Sequence, residues 1–292
     1  MRLVSVVVMS VLYGLFSQVG VASTYESELA FYIESADMDA DASEVDQTAF
    51  GINFTKYLTP VNEDNYPLEE ANFFARSRNV SAGVGILDTD FSGNSGDGYI
   101  FEIAYQHLEK ESPIGFEVEY GISDSTIDGG TSVDITLSEF ALNGFFYITD
   151  NTRLGIGYGM NSTDIDSNSS QAPTDIDVNS FVLQAKTVNR YDGKWVNVEG
   201  RLIYSNEDAS GVDADSTTIS VDGDYYFNTN TSLGLGVAAT TGDNDADSKQ
   251  FALSVVFHTD TGYALEAIVE KLDRDSGADN SVVRFSFVSR NF

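Results

Sequence analysis

Along almost the whole chain apolar residues recur at every second position, and that period decides the secondary structure before any other feature is read. Phe101, Ile103 and Tyr105 alternate with Glu102, Ala104 and Gln106, and Phe116, Val118 and Tyr120 with Glu117, Glu119 and Gly121. Leu154, Ile156 and Tyr158 are separated by glycines, and Val196, Val198, Leu202 and Tyr204 are set among Asn197, Glu199, Arg201 and Ile203. A helix covers one face with apolar residues three and four apart, whereas a strand does so with residues two apart. No long stretch past residue 22 shows helical spacing. The 19 Phe and 15 Tyr, set against 4 Pro, suit strands as well, and the chain reads as all-β.

The first residues read differently. Met1-Arg2, an apolar run from Leu3 to Phe16 and the small-residue stretch Gly20-Val21-Ala22-Ser23 have the form of a secretory leader. The run falls short of the roughly 20 residues a spanning helix needs. Residues 1–22 are therefore expected to be a cleaved signal peptide and residues 23–292 the mature domain. The formal net charge of the chain is -31, which disfavours nucleic acid and other polyanions as partners. The absence of Cys excludes a disulfide framework and any thiolate metal site.

Marking the alternating segments gives about fourteen strands, with 12–16 possible, near residues 25–35, 47–58, 77–88, 98–108, 114–122, 132–148, 152–161, 175–187, 194–205, 216–227, 231–241, 249–258, 262–273 and 280–291. Links after odd-numbered strands are long and rich in Asp, Ser, Gly and Asn, as in Ala36 to Asp46, Ser162 to Thr174, Asn206 to Asp215, Gly242 to Ser248 and Arg274 to Asp279. Links after most even-numbered strands are tight: Glu109 to Pro113, Thr149 to Asn151, Asn189 to Gly193, Asn228 to Asn230 and Thr259 to Thr261. Long loops on one side and short turns on the other are what a barrel threaded through one membrane shows. An even strand count also closes the sheet, leaving no unpaired backbone in lipid. A soluble β-sandwich alternates too, but it has no need for links that segregate by parity. The expected fold is a transmembrane antiparallel up-and-down β-barrel in the outer membrane of a Gram-negative bacterium, in contact with its lipid and lipopolysaccharide. The link Thr59 to Arg76 is too long for a periplasmic turn and is expected to form a short helix or a plug segment under the barrel.

Two hairpins share one recipe: Phe146-Tyr147-Ile148-Thr149-Asp150-Asn151-Thr152-Arg153-Leu154-Gly155-Ile156-Gly157 parallels Tyr225-Tyr226-Phe227-Asn228-Thr229-Asn230-Thr231-Ser232-Leu233-Gly234-Leu235-Gly236. With Tyr57-Leu58-Thr59-Pro60, the block Pro67-Leu68-Glu69-Glu70-Ala71-Asn72-Phe73-Phe74 and the terminal Phe292, they resemble the porin family of Gram-negative outer-membrane proteins. That resemblance covers nearly the whole mature chain. It implies assembly by the outer-membrane insertion machinery and passive passage of small solutes, and many porins form homotrimers. One departure concerns the end of the chain: Val283, Phe285 and Phe287 are in phase with Ser289 and Asn291, not with Phe292. Either a bulge between Val288 and Arg290 shifts the register or the assembly signal is imperfect.

If the apolar sets face lipid, the opposite parity faces the lumen. It carries the acids Glu34, Glu102, Glu117, Glu119, Glu199, Asp222, Asp224, Glu266 and Glu270 against the bases Lys186, Arg201 and Arg284. Charges at membrane depth are tolerated where they line water, and rings of carboxylates favour cations. The expectation is a cation-preferring channel for small hydrophilic solutes. The alternative is a plugged, structural or adhesive barrel without an open pore. Glu139 is left unassigned because the apolar parity switches from Val133, Ile135 and Leu137 to Phe140 and Leu142.

No enzyme is expected. The two His, His107 and His258, sit at the ends of different descending strands, and no Gly-x-Ser-x-Gly elbow, phosphate loop or metal-binding His pair occurs. No cofactor is expected either. Weak candidates for loop-bound Ca2+ or Mg2+ are Asp37, Asp39 and Asp41 and the trio Asp243, Asp245 and Asp247, though none fits a calcium-loop spacing.

Overall fold

A computed structural model describes residues 24–40, 43–62, 66–91, 94–128, 132–167, 174–209, 212–243, 247–259, 262–274 and 279–291. The expected leader, residues 1–22, lies outside the described residues. Fourteen antiparallel strands run in order: β1 (Thr24–Ala40), β2 (Ser43–Asn62), β3 (Asn79–Phe91), β4 (Asn94–His107), β5 (Ile114–Asp128), β6 (Val133–Thr149), β7 (Thr152–Ser167), β8 (Thr174–Tyr191), β9 (Lys194–Ala209), β10 (Val212–Asn228), β11 (Thr231–Gly242), β12 (Ser248–His258), β13 (Tyr263–Arg274) and β14 (Asp279–Asn291). Each strand pairs with its sequence neighbours, and β1 pairs with β14 to close the barrel. The helical content among the described residues is a 3-10 turn (Leu68–Glu70) and the short α1 (Ala71–Ala75) between β2 and β3.

Closure follows from the period of the side chains. On every strand one parity is apolar and exposed on the outer wall, for example Val84 and Ile86 on β3, Ile114 and Phe116 on β5, Ile156 on β7 and Leu235 on β11. A band of that kind needs lipid against it, and lipid requires every backbone donor and acceptor to be satisfied within the sheet. The turn between β8 and β9 shows the local chemistry: Asp192 and Gly193 both take positive φ, 47° and 82°, which a two-residue hairpin turn with right-handed twist demands.

The strands are longer than alternation against lipid alone indicated. Segments read as long acidic loops are paired ladders: Asp37 faces Asp46, and Asn206 faces Asp215. The same extension explains β6. Its ladders with β5 and β7 run without a shift from Val133 to Tyr147, so Val133, Ile135, Leu137 and Glu139 all share the inner face. What switches at residue 139 is the solvent outside. Below it Phe140 and Leu142 meet lipid. Above it Asp134, Thr136 and Ser138 turn outward to water, and the apolar residues turn in.

A belt of outward carboxylates results, several directly opposed across strands: Asp46 with Asp90, Asp88 with Asp97, Asp134 with Asp166, Asp164 with Asp175 and Asp177 with Asp208. Hydroxyls relieve some of this charge, as where Thr126 and Ser162 donate to Asp134 and Asp177 at 2.8 and 2.7 Å. Like charges held opposite one another oppose pairing. Raising NaCl from about 0.01 to about 1 M shortens the screening length from about 30 to about 3 Å. The thermal unfolding midpoint of the refolded barrel is therefore expected to rise across that range; a midpoint that stays flat or falls would show that the belt does not strain the sheet.

No register shift occurs at residues 288–290, where β14 pairs continuously with β1 as far as Asn291 and with β13 as far as Ser289, so the proposed bulge is absent. Phe292 lies outside the described residues.

Candidate functional site

The packed core of the barrel lies at one end, around residues 66–78. Pro67 precedes the 3-10 turn, α1 follows, and Arg76 ends it in the left-handed conformation at φ 49°. Phe73 and Phe74 project from α1 into a cluster with Leu108 after β4, Phe145 and Tyr147 on β6 and Val188 on β8, three different parts of the wall. Tyr66 stacks on Phe74 at 4.1 Å, and Trp195 packs against Phe74 at 5.5 Å. On the near side Ala71 packs with Tyr25, Tyr57 and Val61.

Polar ties fix the same segment on the far side. The Leu68 N–H donates to the Thr229 carbonyl at 3.0 Å, and the Ser232 hydroxyl donates to Glu69 at 2.9 Å. Glu70 accepts from the Tyr226 hydroxyl at 3.0 Å and pairs with Lys186 at 2.8 Å. Arg76 reaches the turns after β4 and β6, donating to the Lys110 carbonyl at 3.3 Å and pairing with Asp150 at 3.0 Å. In a ring of fourteen, β10 stands diametrically across from β3. The segment therefore crosses the full width of the barrel at the end that carries the short turns. Enclosure by protein, reinforced by the charge of Asp224, pushes the lumen-facing carboxyl of Glu69 up to about 7.

Above this plug the inner wall is acidic. The ladders place Glu34, Glu102, Glu117, Glu119, Glu199, Asp222, Asp224, Glu266 and Glu270 on the inner parity, together with Lys186, Arg201 and Arg284. Each of these three bases has a carboxylate partner. Lys186 holds Glu70 of the plug, Arg201 pairs with Glu199 at 2.8 Å, and Arg284 donates through Nε to Glu34 at 2.6 Å.

Glu102, Glu119 and Glu139 have no ion pair among the described residues, and all three line a cavity of about 450 Å3 with Asn53, Ser81 and Asn161. One cross-strand row explains their room: Asn53, Gly83, Glu102, Gly121, Glu139 and Asn161 face one another in succession. A Cβ at Gly83 would press on Asn53 and Glu102 at 3.2 and 3.4 Å, and one at Gly121 would sit between Glu102 and Glu139. The glycines leave space for carboxylates to extend into the lumen.

Sequence reasoning missed Glu28, Glu69, Glu70, Glu139, Arg76, Arg153 and Arg290. Glu69, Glu70 and Arg76 lie off the strands, where parity says nothing. Glu28 and Arg290 form a pair at 2.6 Å across the closing seam, a contact visible only once β1 meets β14. Arg153 lies over the Phe145 ring, 4.4 Å from its centroid, facing the plug.

The two His are not brought together. His107 faces outward and stacks on Phe116 at 5.1 Å, while His258 faces inward, buried, with Nδ1 3.3 Å from Arg290. Of the weak metal candidates, Asp41 and Asp245 lie outside the described residues, and no group of three acids or His among the described residues is placed to hold a metal ion.

No protein-family model matches the chain, and no curated protein matches it in sequence. Its backbone does match solved structures. The outer membrane protein Omp33 of Acinetobacter baumannii superposes with a TM-score of 0.57 at 15% identity, over 92% of this chain and 99% of the other. The fold is that of a Gram-negative outer-membrane β-barrel. The monoaromatic hydrocarbon channel CymD gives a TM-score of 0.57 at 10% identity over 91% and 88% of the two chains. The toluene transporter TbuX of Ralstonia pickettii gives 0.54 at 10% over 93% and 90%. At such identities the likeness concerns the course of the backbone; the side chains in the lumen are this barrel's own.

Proposed function

We propose that this barrel is a passive outer-membrane channel for small hydrophilic solutes that prefers cations, exported by a cleaved leader at residues 1–22 and narrowed at its periplasmic mouth by residues 66–78. The observation that carries the reading is the imbalance in the lumen: Glu102, Glu119 and Glu139 border an open cavity without ion-pair partners among the described residues, while Lys186, Arg201 and Arg284 are each held by a carboxylate. Unpaired carboxylates along a water-filled path lower the energy of a cation there and raise that of an anion. Fourteen strands are intermediate between eight-stranded barrels filled by side chains and the 16–18 strands of wide porins. That two of the neighbours named above are a channel and a transporter is consistent with a conducting role, without naming the solute.

The ties of the plug favour a second reading, a closed barrel that presents its extracellular hairpins. Planar-bilayer recording of the purified, refolded protein under a KCl gradient separates the two. Discrete conductance steps with a reversal potential of the sign set by K+ are expected. Steps that reverse toward chloride would overturn the cation preference. Silence from protein that still shows heat-modifiable gel migration would favour the closed barrel.

A further inference from the structure

Above Glu102 and Glu139 the inner wall becomes apolar on its β3 to β8 side. One row up from Glu102 and Glu139 stand Ile100, Leu137 and Ile176, in register across β4, β6 and β8. The next row carries Leu87, Ile135 and Ile165 on β3, β6 and β7, and the Glu34–Arg284 pair continues it on β1 and β14. All six are half-buried. This part of the tube stands above the lipid band, with aspartates on its outside, so its apolar residues have no membrane to cover them. Inward apolar side chains in such a tube have two stable outcomes: they close on each other as a dry core, or they border whatever occupies the lumen. Their partial exposure excludes the first.

Tyr32 adds an aromatic surface at the same height. It shares a row with Gly51, Gly85 and Ile100, and a Cβ on Gly51 would collide with its ring, which therefore lies along the wall.

We infer that the upper lumen takes organic cations with an apolar body, an ammonium group held by Glu102 and Glu139 and a hydrocarbon or aromatic portion lying against Ile100, Leu137 and Tyr32. The occupant is fixed by complementarity on two counts. Apolar wall left in water is stabilised in proportion to the area that a ligand covers. The carboxylates one row below, with no ion pair of their own among the described residues and Arg284 held by Glu34, attract positive charge, and an aromatic face adds to the attraction for ammonium groups. An anion with the same hydrocarbon portion meets the same wall and the wrong charge. The inference rests on the cation-preferring reading of the lumen and narrows it to a substrate class.

The test is calorimetric titration of the full-length protein in lipid nanodiscs with benzyltrimethylammonium, tetramethylammonium and benzenesulfonate. Benzyltrimethylammonium is expected to bind about tenfold tighter than tetramethylammonium, because it alone reaches the apolar rows. Ile100→Thr with Leu137→Thr puts β-branched residues suited to a strand at both positions, and should erase that ratio while leaving tetramethylammonium unchanged. Glu102→Gln with Glu139→Gln should weaken both cations. Equal affinities in the native protein, or a ratio that survives the threonine pair, would overturn the inference, as would binding of benzenesulfonate. Binding is read here without conduction: a silent bilayer with the ratio intact removes the channel and keeps the site, whereas loss of all cation binding removes the cation reading itself.

Discussion

Replacing residues 66–76 with a glycine-serine chain of equal length is expected to raise the unit conductance of the reconstituted barrel several-fold. The segment crosses the mouth from β2 to β10 and is held on the way by buried rings and by the Glu70 contacts to Tyr226 and Lys186. The wall does not depend on it, because the backbone ladder closes through β1 and β14. The variant should therefore still insert and show heat-modifiable migration. It should also unfold at lower temperature, since burying a Phe such as Phe73 or Phe74 stabilises by about 1.5–3 kcal/mol each. A milder version removes the partners alone. Lys186→Met with Tyr226→Phe leaves Glu70 buried and uncompensated, a loss of about 3–5 kcal/mol when a buried pair is broken, which should release the plug and give frequent transitions to a larger open level. If unit conductance is the same in all three proteins, the plug is not in the path of the ions.

The second large effect concerns charge. Glu102→Lys with Glu139→Lys is expected to turn a cation-preferring lumen into one that prefers chloride, with the neutral Glu102→Gln and Glu139→Gln pair between the two. A unit charge about 8 Å from a permeating ion shifts its energy by about 2 kcal/mol at an effective dielectric of about 20. That is more than the roughly 1.4 kcal/mol needed for a tenfold change in an equilibrium ratio. Gly83 and Gly121 leave space on either side of Glu102, so the longer lysine side chains enter the lumen without displacing backbone. The measurement is the K+ to Cl- permeability ratio from reversal potentials. A ratio unmoved by charge reversal would place the selectivity determinant elsewhere, with Glu69 and Glu70 of the plug the next acids on the route.

Much of this architecture is legible in the sequence because a strand offers a side chain only two faces. Alternation such as Phe101-Glu102-Ile103 marks a strand and sorts its faces at once, and tight polar links such as Asp192-Gly193 mark where the chain reverses. Lipid against one face forces the backbone to be satisfied within a closed sheet, so an outer band of apolar residues already demands a barrel.

Alternation fails where the surroundings change along a strand. At Glu139 the register is continuous, and only water replacing lipid on the outside exchanges the apolar and polar faces, so segments rich in Asp that read as loops are ladders. The plug was visible as a link of unusual length. Its docking was not: Glu70 meets Tyr226 156 residues away, and Glu69 meets Ser232 at a separation of 163.

The sequence by itself determined that this chain closes into a β-barrel with an acidic inner parity, because period and links are local properties. Only the tertiary structure decided which acids stand free, which are neutralised and where the lumen is crossed. Height along the lumen and contacts across its diameter arise from the register of all fourteen strands together, and no local stretch of sequence carries them.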